Sequence, residues 1–392
     1  MKLLMLFCLL FYSCSRALIK SPSEAMRMIE EDQVDIVDDL DFATLKDGLK
    51  KSIEYWKKNS STQAVFGPRV FTAKEYATKL EILYNAKDQD EFKVLVKEHF
   101  CFYEVYGRDR FGEILLTSYY EPVILGSFVP TDKYSQPLYK LPDDLVEVSL
   151  TEFRKISTPG VGGSRGKLTG RIENRAGFPD RVVPYYSRIE IDKEKKLNGK
   201  MLEMFWVDPL DAFFLHIQGS GTVLVDEKEF RIGYAGQNGR EYVSIGKHMA
   251  DLIPTNEMSL QKIEAHLRTL SKEAMEKFLF INPSYVFFKP LRHGPLTTSG
   301  ADVYPGRTLA VDSSIFPLGS LAFLKFKKMV ATSDKVEVAK DEEASRFVFA
   351  HDTGGAIKGP GRADLFWGRG DDAKLFAGHL RHLANLYFLV PK

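Results

Sequence analysis

Apolar residues recur at helical spacing early in the chain. Leu45, Leu49, Ile53 and Trp56 fall on one helix face, and a second helix opens after Thr72, a good N-cap, with Tyr76, Leu80 and Leu83 on one side. A third runs through Phe92, Leu95 and Val96. Before them, the acidic stretch at 28–41, MIEEDQVDIVDDLD, is weakly patterned and reads as a spacer leading into the fold. From about residue 113 the texture changes to short β-rich runs broken by Gly, Pro and Asp: EILLTSYYEPVILGS, YYSRIEI, MLEMFWVD, FFLHIQGSGTVLV and FRIGYAG. Many short strands at close spacing favour a barrel or sandwich over a doubly wound sheet. One helical region interrupts them, through Leu260, Ile263, Leu267 and Leu270 and then Ala274 and Phe278, with Ser259 and Ser271 at N-cap positions. After NPSYVFF the short strands resume and run to NLYFLV at the end.

The leader differs in kind. One lysine precedes an apolar run from Leu3 to Tyr12, and small residues follow; this is the pattern of a secretory signal over residues 1–16, too short to span a bilayer. Cys14 sits in a loose version of the lipoprotein pattern, from which the aromatic pair before Ser13 departs; a simple cleaved signal ending near Ala17 is the alternative. Either reading makes the protein exported.

The chain of 392 residues is long enough for two domains, or for one domain carrying a large insertion. Its 54 basic and 53 acidic side chains nearly cancel, which gives no reason to expect nucleic acid as a partner. Its three cysteines are Cys8, Cys14 and Cys101, so loss of the leader leaves Cys101 without an intramolecular partner. Core burial rather than a disulfide framework must therefore hold the fold, and 28 Phe, 17 Tyr and 3 Trp supply the area.

Candidate chemistry narrows in steps. The glycine-rich run GVGGSRGKLTG at 160–170 fails the phosphate-loop spacing, since five residues separate Gly160 from Gly166 and Leu168 replaces Ser/Thr; it reads as a surface loop. His379 and His382, read as three apart on a helix with Asp371 and Asp372 nearby, have no further Cys/His ligands, so no metal is expected. LHIQGSG and GYAGQNGREYVSIGK set uncharged hydrogen-bonding side chains beside aromatic faces, which suits a sugar; two tight turns are the plain alternative. AHDTGGAIKGPGRADLFWG at 350–368 holds Asp352 and Asp364 around a flexible loop. Cleaving a glycosidic bond needs a carboxylic acid to protonate the departing oxygen. Asp352 ahead of Gly354 and Gly355 is equally able to serve as a turn residue.

TLAVDSSIFPLGS at 308–320 followed by FVFAHDTGGAIKGPGRADLFWG resembles the three-aspartate domain of bacterial cell-wall enzymes, the aspartates being Asp312, Asp352 and Asp364. Upstream, TSYYEPVILGS, QPLYKLPDDL, YYSRIEI, DAFFLHIQGSG, RIGYAGQNGREYVSIGK and NPSYVFF are similar to the specific domain of the membrane-bound lytic murein transglycosylase A family. The resemblance runs from about residue 113 to the C-terminus. It implies a mainly β protein with a helical N-terminal segment. Its double-psi β-barrel would be built from residues 17–120 and 285–392, with a second β-rich domain inserted at 121–284 and a substrate groove between them.

The resemblance also implies a reaction. Family members cleave the β-1,4 bond between MurNAc and GlcNAc in peptidoglycan without water, leaving 1,6-anhydro-MurNAc ends and using no cofactor. One aspartate, by position Asp364, acts as general acid and then base, with Asp352 as its electrostatic neighbour and Asp312 holding the barrel's turns. Lys358, Thr117, Tyr119 and Tyr120, with Gln218, Gly219 and Ser220 from the other domain, would contact glycan. The expected setting is periplasmic, with a lipid anchor at Cys14 to the outer membrane and room for partners in wall-synthesis or hydrolase complexes. Ser118 stands where the family usually has glycine. Two rivals stay open: an inverting hydrolase using Asp364 and Asp352, and a non-catalytic wall-binding or wall-loosening module.

Overall fold

A computed structural model of the chain describes residues 22–107, 110–150, 167–254, 258–292, 294–331 and 336–392. The leader with Cys14, and the glycine-rich run up to Gly166, lie outside the described residues. The chain opens with strand β1 (Met26–Ile29), helix α1 (Phe42–Lys58), the hairpin β2 (Gln63–Phe66) and β3 (Arg69–Thr72), and helices α2 (Ala73–Tyr84) and α3 (Gln89–His99). Strands β4 (Phe100–Val105) and β5 (Ile114–Glu121) follow. A second unit then carries β6 (Val123–Ser127), β7 (Gln136–Tyr139), β8 (Leu145–Ser149), β9 (Lys167–Glu173) and β10 (Arg181–Pro184). It continues through helix α4 (Arg188–Asp192), β11 (Glu203–Val207), helix α5 (Pro209–Gln218), β12 (Gly221–Val225) and β13 (Lys228–Gln237). Helices α6 (Leu260–Arg268) and α7 (Lys272–Leu279) and strand β14 (Val286–Pro290) complete it. The chain returns with β15 (Thr308–Ala310), β16 (Ser320–Ala331), β17 (Val336–Asp352), β18 (Arg362–Arg369), helix α8 (Gly370–Ala377) and β19 (Arg381–Pro391).

The first and last parts make one sheet. Its order is β1-β4-β19-β16-β17-β15-β18-β5, and β5 also pairs with β19, so six strands close into a ring. The middle part makes a six-stranded sheet, β14-β13-β12-β6-β11-β7, and a three-stranded one, β10-β9-β8. Strand β14 belongs to the inserted sheet through its pairing with β13, so that sheet reaches Pro290, past the boundary at 284 expected from sequence.

Local sequence explains most of these elements. Thr72, Ser259 and Ser271 each accept a backbone N–H from the first turn of the helix they precede, and Thr72 completes a capping box with Glu75. Two segments read as strands are helices instead. In YYSRIEI, the N–H and hydroxyl of Ser187 both donate to Glu190 Oε2, which starts α4. In FFLHIQ, Asp208 caps α5 with Pro209 in its first turn, and Gly219 ends the helix at φ +81°.

Helix α1 lies across the back of β17 and β16. Gly48 makes this approach possible, because a Cβ there would meet the Phe349 ring at 2.0 Å. Ser52 Oγ is 2.8 Å from His351 Nε2, and Trp56 Nε1 donates to Gly319 O. Burial holds His351 neutral, its pKa pushed down to about 3.

The acidic stretch 28–41 proves to be no spacer. It contributes part of β1, buries Val34 and Ile36, and places Asp38 against Arg307 deep in the protein. Arg307 Nη1 donates to Asp38 Oδ2 at 2.6 Å and to Phe347 O, and Nη2 donates to Asp41 O. Both side chains are almost sealed from water, at 0% and 1% exposure. Removing one partner strands the other charge. Arg307→Leu should therefore cost about 3–5 kcal/mol in urea unfolding, whereas Lys328→Ala at the exposed Glu342 pair should leave the urea midpoint nearly unchanged. Equal, small losses would show that the buried pair does not secure the segment.

Candidate active site

Strand β15 places the two candidate carboxylates. Ala310 pairs with Asp352 on one side and with Asp364 on the other, and Asp364 in turn pairs with Thr117 on β5. Directly paired residues point to the same face of a sheet, so Asp352, Ala310, Asp364 and Thr117 form one row across four strands. Neighbouring strands lie about 4.8 Å apart, which sets the two aspartate backbones roughly 10 Å apart. Between them stands only the methyl group of Ala310. Two residues along, Phe366 pairs with Tyr119 on the same face, their rings 5.2 Å apart.

The two carboxylates are treated differently by their surroundings. Asp352 Oδ1 accepts from Thr298 N (3.0 Å), Thr298 Oγ1 (2.8 Å) and Thr353 N (2.9 Å), and Oδ2 accepts from the Tyr119 hydroxyl (2.9 Å). Four donors thus hold Asp352 in place, three of them crowded on Oδ1 and one on Oδ2. Asp364 is the reverse: the residue is half-buried, and its Oδ1 is shut off from water with no hydrogen-bond partner. Burial is the largest influence on it and pushes its pKa up to about 6. The Thr117 hydroxyl, facing it outside ordinary hydrogen-bond geometry, and the Arg362 charge pull the other way; Asp352 adds a smaller upward push. Tyr119 stays protonated well beyond its usual range, first through burial and then through the two carboxylates.

Asp312 is a fastening point. Its Oδ1 accepts from Ser314 N and Oγ, and its Oδ2 accepts from Gly359 N at 2.9 Å. Gly359 has φ +78°, so this anchor of the 353–361 loop suits glycine alone. Lys358, on the same loop, is exposed and carries no ion pair among the described residues. The cation acting on Asp364 is Arg362, not Lys358.

The inserted unit meets this row at β5. Gln218 Oε1 accepts from Tyr120 N at 3.1 Å, which sets the end of α5, with Gly219 and Ser220, against the strand that carries Thr117 and Tyr119. Tyr120 does not line a groove. Strand alternation turns it to the opposite face, where it is 3% exposed and packs with Ala373 and Ala377 of α8. Ser118 Oγ donates to Ala377 O and helps seat the same helix. At the crossing, Glu121 accepts from Thr222 Oγ1, and Arg369 reaches Thr222 and Glu229. Helix α6 is tied to α8 by Gln261 to Lys374 O and by Lys374 to Glu264. His379 follows α8 and His382 lies on β19, so they do not share a helix; no cluster of potential metal ligands occurs among the described residues.

Two family models match the chain: the MltA specific insert domain over residues 115–289 and the 3D domain over 307–390. The chain belongs to the membrane-bound lytic murein transglycosylase A family. Curated relatives of that name are 29% identical, in Vibrio cholerae over 72% of this chain and 67% of the relative, and in Escherichia coli K12 over 73% and 68%. The crystal structure of a membrane-bound lytic murein transglycosylase from Agrobacterium tumefaciens is similar at TM-score 0.70 and 26% identity, covering 90% of this chain and 97% of that one. A monoclinic form of MltA from Neisseria gonorrhoeae gives 0.67 and 27%, covering 93% and 92%. E. coli MltA with bound chitohexaose shares the fold at 0.66 and 22%, covering 94% of each. In this member of the family, the three aspartates fall into one fastening point, one carboxylate held by four donors and one half-buried carboxyl with an unpartnered oxygen.

Reading the sequence missed Arg362, Thr298 and Ala310. For Arg362 the signal was present, because it sits two residues before Asp364 and on the same strand face. The raised pKa of Asp364 has a consequence for stability. The folded protein holds a proton there that the unfolded chain releases above about pH 4, so this group weakens the fold as pH rises from about 4 through 6. Asp364→Asn should therefore be more stable than wild type above pH 6, by on the order of 2 kcal/mol, with no gain near pH 4. Parallel denaturant melts at the two pH values check this, and an equal shift at both would mean that the gain is not electrostatic.

Proposed function

We propose that the protein is a lytic transglycosylase that cleaves the β-1,4 bond between MurNAc and GlcNAc in peptidoglycan, with Asp364 as its single general acid and base. The observation that carries this reading is the contrast between the carboxylates. Asp364 keeps its proton to about pH 6 and has an oxygen without a hydrogen-bond partner, while Asp352 is tied down by four donors. One free carboxyl suits a reaction whose nucleophile is part of the substrate. Protonated Asp364 gives its proton to the departing glycosidic oxygen as the C1–O bond breaks. The carboxylate so formed takes the proton of the C6 hydroxyl as that oxygen bonds to C1. The acid is regenerated, the 1,6-anhydro ring closes, and no water is consumed.

The names of the relatives support peptidoglycan as substrate, and the chitohexaose bound to E. coli MltA supports a β-linked amino-sugar chain as the ligand class. They count against a module without activity. The inverting hydrolase fits less well, since its base would have to be Asp352, which four hydrogen bonds already hold. Tyr119, half-buried beside Asp364 with its ring against the buried Phe366, offers ring surface to sugar C–H groups. The closed six-stranded ring is read as a double-psi barrel, with the glycan running between it and the inserted unit past Gln218, Gly219 and Ser220. Export to the periplasm and a lipid anchor at Cys14 complete the proposal. No helix among the described residues is long and apolar enough to cross a membrane.

Incubating the protein with purified sacculi and examining the products by mass spectrometry tests this. Anhydro-MurNAc ends are expected, and reducing ends would point to a hydrolase. Asp364→Asn should lower release at least about 100-fold while sacculus binding persists. In the wild type, kcat/KM should fall as pH rises through about 6, because only the protonated acid starts the reaction. A flat profile to pH 8 would remove Asp364 from that role.

A further inference from the structure

Arg362 is the charged group of the site that its surroundings leave unexplained. It lies on β18 two residues before Asp364, so both side chains project from the same face. Its backbone pairs with Leu115 of β5, which fixes it beside the row of site residues. The residue is half-buried, and its Nε is sealed from solvent without a hydrogen-bond partner. Among the described residues its side chain makes neither an ion pair nor a hydrogen bond. The other guanidinium groups at the domain junction are engaged: Arg369 with Glu229 and Thr222, and Arg268 with Asp211 and Glu264. The positive charge of Arg362 lies near enough to act on both Asp364 on the barrel and Tyr242 on the inserted unit.

A partly desolvated guanidinium without an anion is costly to keep. Asp364 does not supply the anion at the start of the reaction, because it must then be neutral to act as an acid. Asp352 does not supply it either, because four donors already occupy it. The missing anion must come from outside, and the planar fork of arginine matches a carboxylate better than any other common group. A murein strand carries such groups only on its muramyl residues: a lactyl carboxylate where the peptide has been removed, and peptide carboxylates where it remains.

We propose that Arg362 is a specificity-determining residue that binds a carboxylate borne by the muramyl sugar next to the scissile bond. This rests on the glycan-cleaving reading above and adds to it a reason for the enzyme to prefer murein over an uncharged β-1,4 amino-sugar polymer. It also fixes the register of cleavage, since only alternate sugars along the strand carry the acid.

Three substrates separate the sources of the carboxylate: intact sacculi, peptide-free glycan with free lactyl groups, and the same glycan with those groups amidated. Binding of the two soluble glycans to Asp364→Asn, followed by calorimetry, runs beside turnover. Wild type should favour the free-acid glycan over the amidated one by about tenfold or more, the range for a hydrogen bond to a charged group. Arg362→Gln should abolish that preference in both turnover and binding, and Arg362→Lys should restore part of it. Loss confined to sacculi would assign the contact to a peptide carboxylate. If Arg362→Gln weakened free-acid and amidated glycan equally, or kept the wild-type preference, the proposal would be overturned. Should wild type bind with the predicted preference yet release no anhydro ends, the cleavage reading fails while the carboxylate contact stands.

Discussion

The row Asp352–Ala310–Asp364–Thr117 exists because β15 pairs with two strands at once. That double pairing brings a carboxyl from the end of β17 and another from β18 onto one face, although a glycine-rich loop separates them in sequence. It also places the smallest methyl-bearing side chain between them. Pairing is strong at such a position, because each backbone group it removes from water finds a partner in the ladder. The energy released in forming the ring is what permits Asp364 to be buried with an oxygen left unsatisfied. Isolated, that group would take water and return to an ordinary carboxylate pKa.

The rest of the molecule holds this row still. Behind it, α1 packs on β17 through Gly48, while Arg307 with Asp38 and Arg346 with Asp39 bind the acidic entry segment to the same strand. At its open end, Asp312 ties the turn after β15 to the loop before β18. To one side, Tyr120, Ala373 and Ala377 fasten α8 beneath β5, and Glu121, Thr222, Arg369 and Glu229 connect the barrel to the inserted sheet. In the proposed reaction the sugar's own C6 hydroxyl supplies the nucleophile, and such an intramolecular attack requires positioning to within a fraction of an ångström.

Much of this was legible in the chain, and the failures have physical causes. The helices at 42–99 and 260–279 announced themselves through period, and three of them also through the N-caps Thr72, Ser259 and Ser271. YYSRIEI and FFLHIQ were misread because aromatic and β-branched residues suggested strands, while the signals for helix, Ser187 with Glu190 and Asp208 with Pro209, lay at their edges. The entry segment resembled a linker because its acidic residues dominate; nothing local showed that Asp38 and Asp39 would each meet an arginine some 270 or more residues away in the chain. Tyr119 and Tyr120 looked equivalent as neighbours, yet the pleat sends one to the site and the other into a core. The aspartates were visible as a motif. The family resemblance also implied unequal roles for them, but the physical cause was hidden, since it arises from Thr298, Thr353 and Tyr119, which only the folded chain gathers around Asp352.

The protonation state of Asp364 in the free protein tests the account most directly. Carboxyl-carbon NMR of protein labelled at aspartate, assigned by comparison with Asp364→Asn, would follow the group through a pH titration. The account predicts a midpoint near 6 for this one aspartate. A midpoint near the ordinary value of about 3.9 would mean that the carboxyl is already ionised at working pH, and it would contradict the assignment of Asp364 as the acid.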